Sequence, residues 1–181
     1  APMMWNANWA GPQYGFQTYS KTPLMLSMLG GIVGDSAVQR AHSAYTHALA
    51  FRHPSPWDYM FFMSNQFQQD LGWFWYYWLF TTEAVDGSIQ RVATTGGKTT
   101  VTVRQDGQMP SPVVLKVEFE PAGAPIRPMP NARITDATTA VVTWPVDVWF
   151  AGSRTFTAAL DFWGRAIRKI TLDPGGRFPD R

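Results

Sequence analysis

The sequence predicts an α+β protein: a helical N-terminal segment over residues 1–84, followed by a seven-stranded antiparallel β-sandwich over residues 85–181. Two observations predict it. Before residue 85 apolar side chains recur at helical spacing, and beyond Asp86-Gly87 β-branched residues alternate with polar ones between Gly- and Pro-rich turns.

The first helix is expected from Thr22, a hydroxyl N-cap followed by Pro23 at the first helical position, to Val33, with Gly34 as its stop. Leu24, Met25, Leu26, Met28, Leu29, Ile32 and Val33 cover nearly every face, which predicts burial all round. The second helix starts after Asp35 or Ser36 and sets Val38, Ala41, Tyr45, Ala48 and Leu49 on one stripe, with His42 and His47 at its flanks. Ser55-Pro56-Trp57-Asp58 is a strong start signal for the third, because a serine cap, a proline and an acid fall where a helix N-terminus favours each. Trp57, Met60, Phe61 and Ser64 would form its inner face. The fourth, from about Leu71 to Phe80, is so aromatic that it must be largely buried or in contact with another domain.

Strands are expected at Ser88–Thr94, Lys98–Gln105, Val113–Glu120, Thr138–Trp144, Val146–Phe150, Thr155–Leu160 and Arg165–Leu172. Gly96-Gly97 reads as a tight hairpin turn and Asp106-Gly107 as the next turn. In the third strand Val113, Leu115, Val117 and Phe119 alternate with Val114, Lys116, Glu118 and Glu120, so one face is dry and one wet. The stretch from Pro121 to Pro130 reads as a long exposed connection.

Composition narrows the function. Fifteen basic and thirteen acidic groups give a net charge of +2 with no basic run, which argues against nucleic acid as a partner. The absence of cysteine removes disulfides and thiolate metal sites, and no window is apolar for the roughly 18 residues of a transmembrane segment.

Three histidines stand at His42, His47 and His53, and the first two, five apart, diverge by about 140° on one helix. They cannot chelate one ion from that helix. The glutamates are Glu83, Glu118 and Glu120, and no His-Glu-x-x-His string exists. No metal site is therefore expected in this chain.

The richest motif is Tyr14-Gly-Phe-Gln-Thr-Tyr19-Ser-Lys21, two tyrosines five apart at the mouth of the first expected helix. With Phe51-Arg-His-Pro-Ser-Pro-Trp-Asp-Tyr-Met60, Asp70-Leu-Gly-Trp-Phe-Trp-Tyr-Tyr-Trp-Leu-Phe80 and the ending Phe178-Pro-Asp-Arg181, in that order, the chain resembles the C-terminal part of zinc aminopeptidases of the aminopeptidase N (gluzincin) family. Tyr19-Ser20-Lys21 matches that family's Tyr-x-Lys-Gly element, with Thr22 where the family has glycine. The resemblance implies that residues 1–84 end a thermolysin-like catalytic domain and that the β-domain buttresses it. It implies that Tyr19 stabilises the oxyanion of peptide hydrolysis, with Tyr14 and Lys21 as substrate-cleft candidates.

The zinc cofactor and general base would belong to the intact parent, upstream of Ala1, so the chain alone is expected to be inactive. Its partners would be the parent's N-terminal and catalytic domains, and the parent's substrate a peptide with a free N-terminus. Residues alone leave a second class open: a non-catalytic module recognising a protein or glycan through Trp144, Trp149 and Trp163.

Overall fold

The computed structural model describes residues 2–4 and 11–178, so the motif residues Pro179 to Arg181 lie outside the described residues. The chain divides into two compact units, residues 1–83 and 84–181.

The first unit is helical. Helix α1 is built from three consecutive segments, Gln13–Phe16, a π-helical turn Gln17–Lys21, and Thr22–Val33. This corrects the expected start at Thr22. Thr22 has helical dihedrals of −63° and −47°, and both its N–H and its hydroxyl donate to the carbonyl of Gln17, the latter at 2.8 Å. A capping residue would be extended instead.

Pro23 supplies the physical reason for the wide turn. It has no N–H for the carbonyl four residues back, that of Tyr19, and its ring crowds that carbonyl, so the turn before it opens into an i→i−5 pattern. Burial all round is also corrected: Met25, Met28 and Leu29 are buried, but Leu24 is 45% exposed. Gly34, at φ 93°, does end the helix, and α2 (Asp35–Leu49) begins at once.

Helix α3 (Pro56–Phe67) carries a complete capping box: the Asp58 N–H donates to Ser55 Oγ at 3.3 Å, and the Ser55 N–H donates to Asp58 Oδ2 at 2.7 Å. The Ser55 hydroxyl, which donates to Asp58 Oδ2 at 2.7 Å, and then the Ser55 N–H favour the ionised form and hold the Asp58 carboxyl below its ordinary value. The inner face of α3 agrees with the expected one at Met60 and departs from it at Trp57 and Phe61. Met60 and Met63 are buried, whereas Trp57 and Phe61 face solvent, because the 3.6-residue period lets a neighbouring stripe of equal hydrophobicity take the core side.

Helix α4 (Gly72–Trp75) runs into a second π-turn, Tyr76–Phe80, and buries Phe74, Trp75, Trp78 and Leu79. Trp75 Nε1 donates to Ser64 Oγ at 3.0 Å and Trp78 Nε1 to Met28 Sδ at 3.2 Å, so each buried indole finds its acceptor.

The second unit holds two antiparallel sheets. One has the order β1 (Gly87–Thr95), β2 (Lys98–Gln105), β6 (Thr155–Leu160); the other β4 (Ala132–Asp136), β5 (Thr139–Trp144), β3 (Val113–Phe119), β7 (Ile167–Leu172). The β1–β2 hairpin closes through Gly96 and Gly97, at φ 59° and 79°, a pair of left-handed residues that suits the twist of a two-residue turn. Inward residues of both sheets, among them Val101, Val103, Leu115, Val117, Val142 and Ala158, share one apolar core.

Three expectations change here. Val146–Trp149 is a 3₁₀ turn rather than a strand, since Pro145 precedes it and Trp149 turns inward to donate from Nε1 to the Ser111 carbonyl at 2.8 Å. The seventh strand is β4, in a segment with no strand assigned from sequence. Its residues Arg133 and Thr135 on an edge give it little apolar pattern. The connection before it is not wholly exposed, because Ile126 is buried in the core.

Candidate functional site

The residues singled out by sequence gather on and beside the π-turn of α1. Tyr19 lies within that turn rather than ahead of a helix, and its side chain is 78% exposed, with no hydrogen bond from its hydroxyl among the described residues. Tyr14, one turn earlier, is also exposed. Both phenols thus face solvent, Tyr19 from a turn whose geometry departs from the ordinary helix, a departure that is frequent where helices carry function, and Tyr14 from the α-helical segment before it. An O–H donor so placed can stabilise negative charge developing on a bound carbonyl oxygen.

Lys21 behaves differently. Its Nζ donates to the Thr81 carbonyl at 3.2 Å, linking the first π-turn to the residue that follows the second. Half-burial there pushes its pKa below the ordinary lysine value, since desolvation disfavours the charged form. Its ammonium serves the join between α1 and the end of α4.

A polar cluster that sequence reasoning passed over lies between α2 and α3. His42 Nδ1 is 2.9 Å from the Val38 carbonyl, and its Nε2 is 2.9 Å from Tyr59 Oη. A carbonyl only accepts, so Nδ1 carries a proton, and in the neutral imidazole Nε2 accepts from the Tyr59 hydroxyl. Tyr59 also packs against Tyr45 and Trp75, with ring centroids at 5.2 and 5.9 Å. Burial, and then the neighbouring Tyr45, push the Tyr59 phenol up to about 12. Seventeen residues separate His42 from Tyr59, and no local spacing announces such a pair. His47 and His53 are exposed and take no part in it.

Among the described residues no three of His, Cys, Asp and Glu come together to hold a metal ion. The described side chains do not fit a zinc ion. No described helix is long and apolar enough to cross a membrane.

Of the three tryptophans considered as recognition residues, Trp149 is buried and Trp144 half-buried, with its ring 5.6 Å from that of Phe156. Trp163 alone of the three is exposed, at 67%.

No family model matches the chain, and no curated protein does. Among solved structures, an aminopeptidase A from Legionella pneumophila in complex with aspartic acid is similar over 93% of this chain, at 11% identity and a TM-score of 0.62. The chain spans 18% of that protein's length. A chitin-binding domain of a chitinase from Pyrococcus furiosus is similar over 53% of this chain and 98% of its own, at 19% identity, but its TM-score of 0.32 carries no argument. At these identities the likeness speaks to fold alone: this chain has an aminopeptidase-like α+β fold.

Proposed function

We propose that this chain is the late part of a zinc aminopeptidase that hydrolyses peptide bonds at free N-termini. In this reading residues 1–84 end a thermolysin-like catalytic domain, and residues 85–181 form a supporting β-sandwich. The zinc ion and its ligands belong to other segments of the parent protein. Tyr19 donates its phenolic hydrogen to the oxyanion that forms on the scissile carbonyl, and Tyr14 lines the same cleft.

The observation that carries the reading is the fold likeness to the Legionella aminopeptidase over 93% of the chain. Two features support it. Tyr19 is 78% exposed, and its hydroxyl makes no hydrogen bond among the described residues. The helical unit also leaves Phe16, Leu24, Trp57, Phe61 and Tyr76 exposed, side chains that further domains of a parent would cover.

The test uses the full-length protein that contains this chain, loaded with zinc and assayed on aminoacyl anilides with free and with acetylated N-termini. Hydrolysis of the free amines alone is expected. Tyr19→Phe should lower kcat by about 10²–10³-fold, the usual cost of one oxyanion donor, with little change in KM. Unchanged turnover in that variant would overturn the role of Tyr19, and no hydrolysis of either substrate would overturn the peptidase reading.

A second reading, a non-catalytic module that binds protein or glycan, is favoured by one observation: the exposed indole of Trp163.

A further inference from the structure

The loop 161–164 holds an indole outward at a conformational cost. Trp163 has φ 58° and Gly164 φ 75°, two left-handed residues in succession. For a side chain other than glycine or asparagine that region costs roughly 1–2 kcal/mol. The loop does not need the indole to keep its shape. Phe162 anchors it in the core against Phe119, with ring centroids at 4.9 Å, and the Trp163 N–H donates to Asp161 Oδ1 at 3.2 Å. Asp161 is in turn paired with Lys98 at 3.1 Å. A loop tied down on both sides thus presents a large apolar ring that stays 67% exposed.

The ring borders a basin of about 820 Å³ between the β1–β2 turn, the 121–127 connection and this loop. That volume is within the range of small-ligand sites. Two of the lining segments meet backbone to backbone: a Cβ added to Gly97, at φ 79°, would lie 3.3 Å from the Cα of Gly164. A second basin of about 380 Å³ adjoins it, sharing Gly123, Ala124, Pro125 and Arg165, which leaves room for an oligomer.

Charge decides the ligand class. Lys98 is matched by Asp161, and Arg165 donates to the carbonyls of Glu120 and Ala122. Arg127 lies 5.5 Å from the centroid of the Trp163 ring and has no anionic partner among the described residues. Its guanidinium keeps a fork of N–H donors suited to a carboxylate.

We propose that this basin binds an acidic saccharide, an oligomer of uronic acid type. The apolar face of one sugar ring stacks on the Trp163 indole, the ring's carboxylate pairs with Arg127, and its hydroxyls meet the Lys98–Asp161 pair. An open basin rimmed by polar groups suits a ligand that stays partly hydrated. The inference deepens the binding-module reading of the β-unit and is independent of the peptidase reading.

The test is calorimetric titration of the full chain with an oligogalacturonate and with a neutral oligosaccharide of equal length. The oligogalacturonate should bind measurably, more weakly as salt is raised, and the neutral sugar about tenfold less tightly or worse. Trp163→Asn, which tolerates the left-handed backbone and so keeps the loop, should weaken binding by about tenfold or more. Arg127→Gln should erase the preference for the acidic oligomer. Absence of binding at millimolar sugar, equal affinity for both sugars, or full affinity in Trp163→Asn would each overturn the proposal. None of these outcomes bears on the anilide assay.

Discussion

The ammonium of Lys21 donates to the carbonyl of Thr81 at 3.2 Å, across sixty residues of sequence, and so fastens one π-turn to the end of another. Desolvation in this half-buried place disfavours its charged form. Its folded pKa lies below the unfolded one, so near pH 10 the unfolded chain binds more protons than the folded chain. Stability relative to Lys21→Met should therefore rise as pH climbs from the folded pKa towards 10.5, the unfolded value. Urea denaturation of both proteins across that window checks the sign. A flat difference would mean that Lys21 titrates alike in both states.

Removing the Tyr59 hydroxyl strands the Nε2 of His42 in a half-buried place. Tyr59→Phe should cost about 1–3 kcal/mol, the penalty for an acceptor left without its donor, while the ring contacts to Tyr45 and Trp75 persist. Thermal unfolding gives the number, and the NMR shifts of the His42 ring should move with it.

Helix α3 depends on its first turn. Ser55→Ala deletes the N-cap and should cost about 1 kcal/mol. Asp58 titrates lower in the folded chain because of the bonds from Ser55, so its contribution is present at neutral pH and is lost as pH falls below the ordinary carboxylate value of 3.8. The deficit of Ser55→Ala, followed by circular dichroism against pH, should shrink in that acidic range.

Gly107 admits no side chain. A Cβ there would lie 2.2 Å from the Ala84 carbonyl oxygen and 2.7 Å from the Asp86 nitrogen, and both are backbone atoms that cannot swing aside. The Arg154 guanidinium further fixes the Gly107 carbonyl at 2.7 Å. Gly107→Ala should destabilise the β-unit by about 1–3 kcal/mol, as overpacking does. A melting temperature equal to the wild type would show that the 84–86 segment yields freely.

Much of this was legible locally. The capping box at Ser55 and Asp58, the stop at Gly34 and the hairpin at Gly96-Gly97 follow from chemistry that acts over four residues, so adjacent letters suffice. The strict alternation of β3 likewise reports its burial, since strand side chains change face at every residue. Thr22-Pro23 misled for the same local reason. The pair is a good helix start in isolation, but here the preceding segment was already helical, and proline was met by widening the turn.

The sequence by itself determined that a helical part precedes a strand-rich one, the helix start at Ser55, the stop at Gly34, the hairpin turn at Gly96-Gly97 and the lack of a His-Glu-x-x-His string, because each is set by neighbours along the chain. Only the tertiary structure decided which of several equally apolar stripes turns inward, that Trp149 is buried while Trp163 is displayed, and that Lys21 meets Thr81 and His42 meets Tyr59. Those outcomes depend on packing and hydrogen-bond satisfaction between segments far apart in the chain, and burial is shared among partners that no local window contains.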